Sequence, residues 1–250
     1  MVIDERIAER RREVRQQRRR VRLRRTLLAL IVLSAAGGLI AVERSALVGL
    51  EEVTVAGTER LSESEVRDAA GLELGRSTLR LSLAEAERRV EDLALVRSAD
   101  ARRTDPLTVS ITVVEREPSL AVVGDGEQRV VDRDGIVLLD DAGDGLPLIE
   151  LTEAPPAPGA DVGEDPALAN AHRAWRGLSG PLRGEVVRYV AAGADELELE
   201  LRTGERVRFG RADRIDEKVR ALGAVLEDVG DAPVEVIDVR APGAPVVVGP

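Results

Sequence analysis

Residues Thr26 to Val42 read TLLALIVLSAAGGLIAV, an uncharged apolar run between two segments of opposite charge. Residues 1–25 hold eleven arginines against four acids and carry +7, so the chain's −10 leaves −17 for everything after Arg25. At about 1.5 Å per residue this run makes a helix about 26 Å long, enough to cross the hydrocarbon core of a bilayer. Flanking arginines hold their side of a membrane in the cytoplasm. The run therefore predicts a single membrane helix with a short basic arm inside and a large acidic part outside. A buried core helix fits poorly directly behind so many arginines. A cleaved export signal is the alternative, since Arg24-Arg25-Thr26-Leu27-Leu28 resembles a twin-arginine signal and Ser34-Ala35-Ala36 offers small residues for cleavage. Cleavage there leaves only Thr26 to Leu33 as the apolar region, which is short for a signal, so an uncleaved anchor is preferred.

The part beyond the anchor, about 205 residues, suffices for one large or two small domains. Trp175, Tyr189 and Phe209 are its only aromatics, so the core must be built from Val, Leu, Ile and Ala. There is no cysteine, and Lys218 is the single lysine. An acidic exterior disfavours nucleic acid as a partner, because phosphate contacts need basic patches. The basic arm sets topology and is also suited to anionic headgroups.

The chemistry available is narrow. Without cysteine there is no thiol nucleophile or thiolate ligand, and one histidine, His172, cannot supply a two-histidine zinc site. No Gly-x-Ser-x-Gly elbow and no phosphate-cradling Gly-x-x-x-x-Gly-Lys loop occurs. His172 and Trp175 lie three apart in a helical stretch and share a face, which reads as packing. The residues imply no catalytic group, no metal and no cofactor.

The exported part opens with strand alternation over Leu50 to Val55, stopped at Gly57. Ser62 and Glu65 form a capping box for a helix through Val66 and Ala69-Ala70 that ends at Gly71. A turn at Gly75 leads to Leu79 and Leu81. Ser82, with Glu85 at the third position, starts a second helix with Ala86, Val90 and Leu93 on its apolar face. Strands follow over Val96 to Arg103 and, after the Asp105-Pro106 turn, over Leu107 to Glu115 through Val109, Ile111 and Val113. The order β-α-α-β-β predicts a small α+β domain with two helices on one face of a three-stranded sheet. It ends at Glu115-Arg116-Glu117-Pro118.

Beyond it, Arg129 to Val131 and Ile136 to Leu139 read as a hairpin around Asp132-Arg133-Asp134-Gly135. The two aspartates lack the further ligands of a calcium loop, and a tight turn is the better reading. As carboxylates of a surface hydrolase they have no opposed geometry across a substrate. Asp140-Asp141-Ala142-Gly143-Asp144 reads as a solvated loop and Ala154 to Pro166 as a loop or hinge. A helix over Ala167 to Leu178 stops at Gly180-Pro181. Strands are predicted over Val186 to Val190, Leu197 to Arg202 and Val207 to Phe209, then a helix over Arg214 to Glu227. Its apolar face is Ile215, Val219, Leu222 and Leu226. Strands over Val234 to Val239 and Val246 to Val248 close the chain. The second unit is thus expected to be a mainly antiparallel β domain with two helices.

In this order of parts the chain resembles the FtsQ/DivIB family of bacterial cell-division proteins over nearly its whole length. Val53, Val55, Gly57, Val66, Gly75, Leu79, Leu81, Val96, Ala99, Pro106, Val109, Ile111 and Glu115-Arg116-x-Pro118 resemble the family's POTRA domain. Val131-Asp132-x-x-Gly135 with Ile136-Val137, Leu146-Pro147-Leu148-Ile149, Val207-x-Phe209-Gly210 with Lys218, and Ile237-Asp238-Val239-Arg240 resemble its β domain. Ser119-Leu120-Ala121 departs mildly after the proline. Ala241 stands where an aromatic often follows the basic residue.

The resemblance implies these parts: a cytoplasmic arm 1–25, a transmembrane helix 26–42, a POTRA-like domain 50–117 and a β domain 118–250. It implies a non-enzymatic scaffold of the divisome in the cell membrane at the septum, binding FtsB/FtsL-type coiled-coil proteins and other divisome components. Partner contact is expected at Arg240 and along the edge Val246, Val247 and Val248, by addition of a strand. A POTRA-type chaperone in protein export is the alternative. Such proteins carry further POTRA repeats or a barrel, and neither is visible in the sequence.

Overall fold

In the computed structural model, which describes residues 24–25, 27–38, 41, 48–78, 81–138, 145–230 and 232–249, the chain after the apolar run is α+β and builds two sheets. Within the apolar run, residues 27–38 are helical (α1) and not covered by the rest of the chain, with Leu30 68% and Leu33 70% exposed. Thr26, Leu39, Ile40 and Val42 lie outside the described residues, as do residues 1–23, Leu79, Leu139 and the acidic loop Asp140–Asp144. No helix among the described residues is long and apolar enough to cross a membrane.

The first sheet is formed by β1 (Glu52–Ala56), β2 (Val96–Asp105) and β3 (Thr108–Glu115), in the order β1-β3-β2. Central β3 runs parallel to β1 and antiparallel to β2. Two helices, α2 (Glu63–Ala70) and α3 (Leu83–Glu91), cover one face and bury Val66, Ala70, Ala86 and Val90 against Val53, Val109 and Ile111. The capping signals act as read. The Ser62 hydroxyl accepts from the Glu65 amide at 3.2 Å while the Glu65 carboxylate accepts from the Ser62 amide at 2.8 Å. Gly71 ends α2 in the left-handed region with φ 65°. The Ser82 hydroxyl caps α3 in the same way, whereas Glu85 pairs with Arg88 and Arg89 instead of closing a box. Gly57 has φ 85°, and a Cβ there would lie 2.1 Å from the Val113 carbonyl oxygen, so only glycine fits.

The second sheet has eight strands in the order β11-β10-β9-β8-β7-β6-β4-β5. In chain order these are β4 (Pro118–Gly124), β5 (Glu127–Asp132), β6 (Leu148–Leu151), β7 (Val186–Gly193), β8 (Glu196–Leu201), β9 (Arg206–Arg208), β10 (Val236–Asp238) and β11 (Val246–Val248). It is more mixed than expected: β4–β6, β6–β7 and β9–β10 pair in parallel, the other four pairs antiparallel. Parallel neighbours need a crossover. The chain between β6 and β7 carries α4 (Pro166–Gly177) and α5 (Gly180–Glu185), and α6 (Ile215–Val229) joins β9 to β10. So this unit has three α-helices, not two. Gly180-Pro181 does stop α4, but proline is also well suited to a first turn, and here it starts α5.

The hairpin also shifts. β4 pairs with β5 around Asp125-Gly126, both at positive φ, while Ile136 and Val137 make only isolated bridges. Pro118 is tolerated as the first residue of β4. All three aromatics are buried in the core of this domain, Tyr189 and Phe209 completely. His172 and Trp175 stack with ring centroids 5.7 Å apart and both are buried, as their spacing predicts.

The two sheets meet at Glu115-Arg116. The Glu115 carboxylate accepts the backbone N–H groups of Glu59 (2.9 Å), Leu61 (3.0 Å) and Arg60 (3.1 Å). Burial raises its pKa, but these three donors outweigh burial and hold it below the ordinary value. Arg116 turns to the other side, giving Nε to the Val96 carbonyl (3.0 Å) and Nη1 to Asp132 (2.7 Å). The other oxygen of Asp132 accepts from the amides of Gly135 and Ile136, each at 2.8 Å. Beside them Arg97 pairs with Asp134 at 3.0 Å, and Leu95 packs with Val130 and Leu138.

Arg116→Met leaves the carboxylate of Asp132, only 3% exposed, without its cation. A loss of about 2–4 kcal/mol is expected in urea unfolding of the full chain. His172 is held neutral in the fold, its pKa lowered first by burial and then by Arg176. The unfolded chain takes up that proton below its ordinary value of 6.5, so stability falls as pH drops through that value. Comparing Tm at about pH 7.5 and about pH 5.5, a His172→Gln variant should lose less on acidification than the wild type.

Candidate functional site

The C-terminal hairpin gathers all four residues expected to meet a partner. Ala241 to Ala244 form its turn, with the Ala244 amide bonded to the Ala241 carbonyl at 3.0 Å. β11 pairs antiparallel with β10 in the register Val236↔Val248, Ile237↔Val247, Asp238↔Val246. It is the outermost strand, and no described strand pairs with its other edge. Val246, Val247 and Val248 are 56%, 41% and 47% exposed, although valine is a residue of sheet interiors.

The register fixes what each valine faces. Val247 continues the row through Ile237, Val207 and Leu199, which are buried in the helix-covered core. Val246 continues the opposite row through Asp238, Arg208 and Glu198 on the open face, where Arg208 and Glu198 pair. Val248 continues the parallel row through Val236, Arg206, Glu200 and Arg188. The open face thus carries alternating charge across β8 and β9 and turns apolar at Val236 of β10 and at Val246 and Val248 of β11.

Arg240 stands at the end of β10 and is oriented by Asp238. The Asp238 carboxylate accepts from the Arg240 amide and Nε, both at 3.0 Å, and from Nη2 at 2.5 Å. Asp238 therefore sits below the usual carboxylate range, chiefly through the bond to the Arg240 side chain. The stem of Arg240 crosses Gly210, where a Cβ would lie 3.0 Å from its Cγ. Alongside runs an open cleft of about 370 Å³ lined by Ala192, Asp195, Glu198, Arg208 and Gly210. Asp238 and Gly210 enter the sequence reading only as parts of family-like motifs, not as residues of the site. The i, i+2 spacing of Asp238 and Arg240 on one strand face was the available signal for the first.

Lys218 holds the platform under this hairpin. It is 2% exposed, and its ammonium donates to the carbonyls of Phe209 (3.0 Å) and Arg211 (2.6 Å) and to Asp213 (3.1 Å). It also lies 5.1 Å from the centroid of the Phe209 ring. Asn170 of α4 pins the same loop, donating to the Gly210 carbonyl (3.1 Å) and accepting from the Ala212 amide (2.6 Å).

Asp132 and Asp134 face no common cleft as paired acids. Both oxygens of Asp132 are engaged at the domain junction, and Asp134 pairs with Arg97. Among the described residues no group of three or more His, Asp or Glu side chains could hold a metal ion.

The fold and this hairpin define a class: a POTRA unit joined to a mixed β domain whose outermost strand has one edge unpaired among the described residues. A family model for the FtsQ-type POTRA domain matches residues 48–116, and one for the C-terminal part of cell division protein FtsQ/DivIB matches residues 121–240. Cell division protein FtsQ of Mycobacterium leprae is 33% identical over 236 residues, covering 91% of this chain and 64% of its own length. The FtsQ proteins of Streptomyces collinus and Streptomyces bingchenggensis are each 31% identical, with 88% and 89% of their lengths covered. The chain belongs to the FtsQ/DivIB family of cell-division proteins. Val246–Val248 lie beyond the matched residues.

Lys218→Met removes the donor from two loop carbonyls and should cost about 2–4 kcal/mol in thermal or urea unfolding. Lys218→Arg, too large for the same cage, should rescue only part of that loss.

Proposed function

We propose that this chain is a non-enzymatic, single-pass membrane scaffold of the divisome that links early and late division proteins at the septum. In this reading residues 1–25 form a cytoplasmic arm and Thr26–Val42 the span that holds the chain in the lipid bilayer. Residues 50–117 and 118–250 act as a POTRA-like domain and a β domain outside the membrane. The charge asymmetry about the apolar run supports that topology. The acidic exterior leaves nucleic acid out of the partner set.

The observation that carries the reading is the exposed, unpaired edge of β11. Natural sheets blunt such edges with charge, proline or a covering segment. The other end of this sheet is covered in that way: the Asp132 amide of β5 donates to the Ile136 carbonyl, the Leu138 amide of the returning chain donates to Val130 of β5, and the Val137 and Val162 amides bond a further layer at Ala160 and Gly135. β11 carries three valines and no charge. That suits an extended segment of an FtsB/FtsL-type coiled-coil partner, which would continue the ladder through its backbone and place apolar side chains beside Val246 and Val248. Arg240, already oriented by Asp238, is placed to receive an acidic residue of the same segment.

A photoreactive residue at Val247 in dividing cells should capture small coiled-coil division proteins. The same residue at Val114, similarly exposed at 51% but on a strand paired along both edges, should not. Removing residues 246–250 should abolish capture while leaving Tm within a few degrees, since the strand buries little. Capture of export machinery at Val247, or equal capture at both positions, would sink the proposal.

A further inference from the structure

The first sheet also ends on a long strand, β2, and its edge is closed in an unusual manner. The Ala99 and Ala101 amides point away from β3, the Ala99 amide donating to Glu91 Oε1 (3.1 Å) and the Ala101 amide to Glu87 Oε1 (2.8 Å). The fit is geometric. Residues four apart on a helix are separated by about 6 Å along its axis, and outward amides two apart on a strand by about 6.7 Å. So α3, running opposite to β2, lays one carboxylate on each free amide. Charge-assisted bonds of this kind are stronger than neutral ones, and an incoming strand would have to displace both.

Behind that guard the edge is self-complementary. Consider two copies of β2 pairing antiparallel about a two-fold axis through Ala101. Ala101 then faces Ala101, and Ala99 faces Arg103, so the outward amides on each strand meet carbonyls on the other. On the solvent face, Asp100 of each copy falls opposite Arg102 of the other. Within one chain these two residues already pair, Arg102 Nε to Asp100 Oδ1 at 2.6 Å. The strand is regular from Ser98 to Arg103, the stretch this pairing uses.

We propose that β2 is a guarded homotypic edge: Glu87 and Glu91 keep it closed, and their release lets a second copy of this chain add across Ala101. The site is separate from the β11 edge and independent of what binds there.

The full chain in detergent micelles tests this by sedimentation and by hydrogen exchange at individual amides. In the wild type the Ala99 and Ala101 amides should be protected and the chain monomeric. Glu87→Ala with Glu91→Ala should produce a dimer. Adding Arg102→Asp places like charges opposite each other and should weaken that dimer about tenfold. A further Asp100→Arg restores opposite charges and should recover it. If the double alanine variant stays monomeric while Ala99 and Ala101 exchange faster, the homotypic edge is wrong. Association indifferent to Arg102→Asp overturns the register. Unprotected amides at Ala99 and Ala101 in the wild type overturn the guard.

Discussion

Arg116 can be satisfied only when both sheets are present. One side of its guanidinium needs the Val96 carbonyl at the start of β2, and the other needs Asp132 at the end of β5. Asp132 in turn shapes the turn through Gly135 and Ile136 and so sets the segment that covers the edge of β5. A buried ion pair of this kind contributes little net stability, but leaving either member alone is costly. Its effect is specificity: the two domains meet in one orientation or leave a charge stranded. Glu115, one residue earlier, fixes the opposite side by gathering three amides of the loop that enters α2. The short motif Glu115-Arg116-x-Pro118 is therefore a joint, with an acid for one domain, a base for the other, and a proline that opens the next strand.

The treatment of strand edges follows from the same economy of side chains. With so few aromatics, the cores are small aliphatic layers, and edges cannot be hidden under bulky residues. β5 is covered by the chain doubling back, β2 by carboxylates from a neighbouring helix, and β11 by nothing among the described residues. The proposed partner site rests on that contrast.

Much of this was legible in the sequence because the signals were local. Ser62, Glu65 and Gly71 bound α2 as capping chemistry requires, and the alternation of Val109, Ile111 and Val113 marks a buried face of β3. The stretch Ile215, Val219, Leu222 and Leu226 is a helical stripe and packs as one. What escaped depends on distance. Parallel pairing of β6 with β4 and β7 joins segments far apart in the chain, and alternation alone does not distinguish it from antiparallel pairing. Asp125-Gly126 is a readable hairpin signal, but Pro118 at the head of β4 reads locally as a boundary and hides the strand that leads into it. At the candidate site, Arg240 and Val246–Val248 are expectations from the family resemblance, whereas the hold of Asp238 on Arg240 and the support of Gly210 are matters of geometry. Lys218 stood out as the single lysine, yet only its cage of carbonyls explains why an ammonium is there.

That cage has a practical side. Because the chain's one lysine is sealed inside the β domain, the folded surface offers no side-chain amine. Acylating reagents, amine-directed crosslinkers and enzymes that acetylate or ubiquitinate lysine find no lysine ammonium on that folded surface. Acylation of Lys218 can occur only when the loop after β9 lets go. Its rate would therefore clock the opening of that loop, with a built-in reporter and no label added.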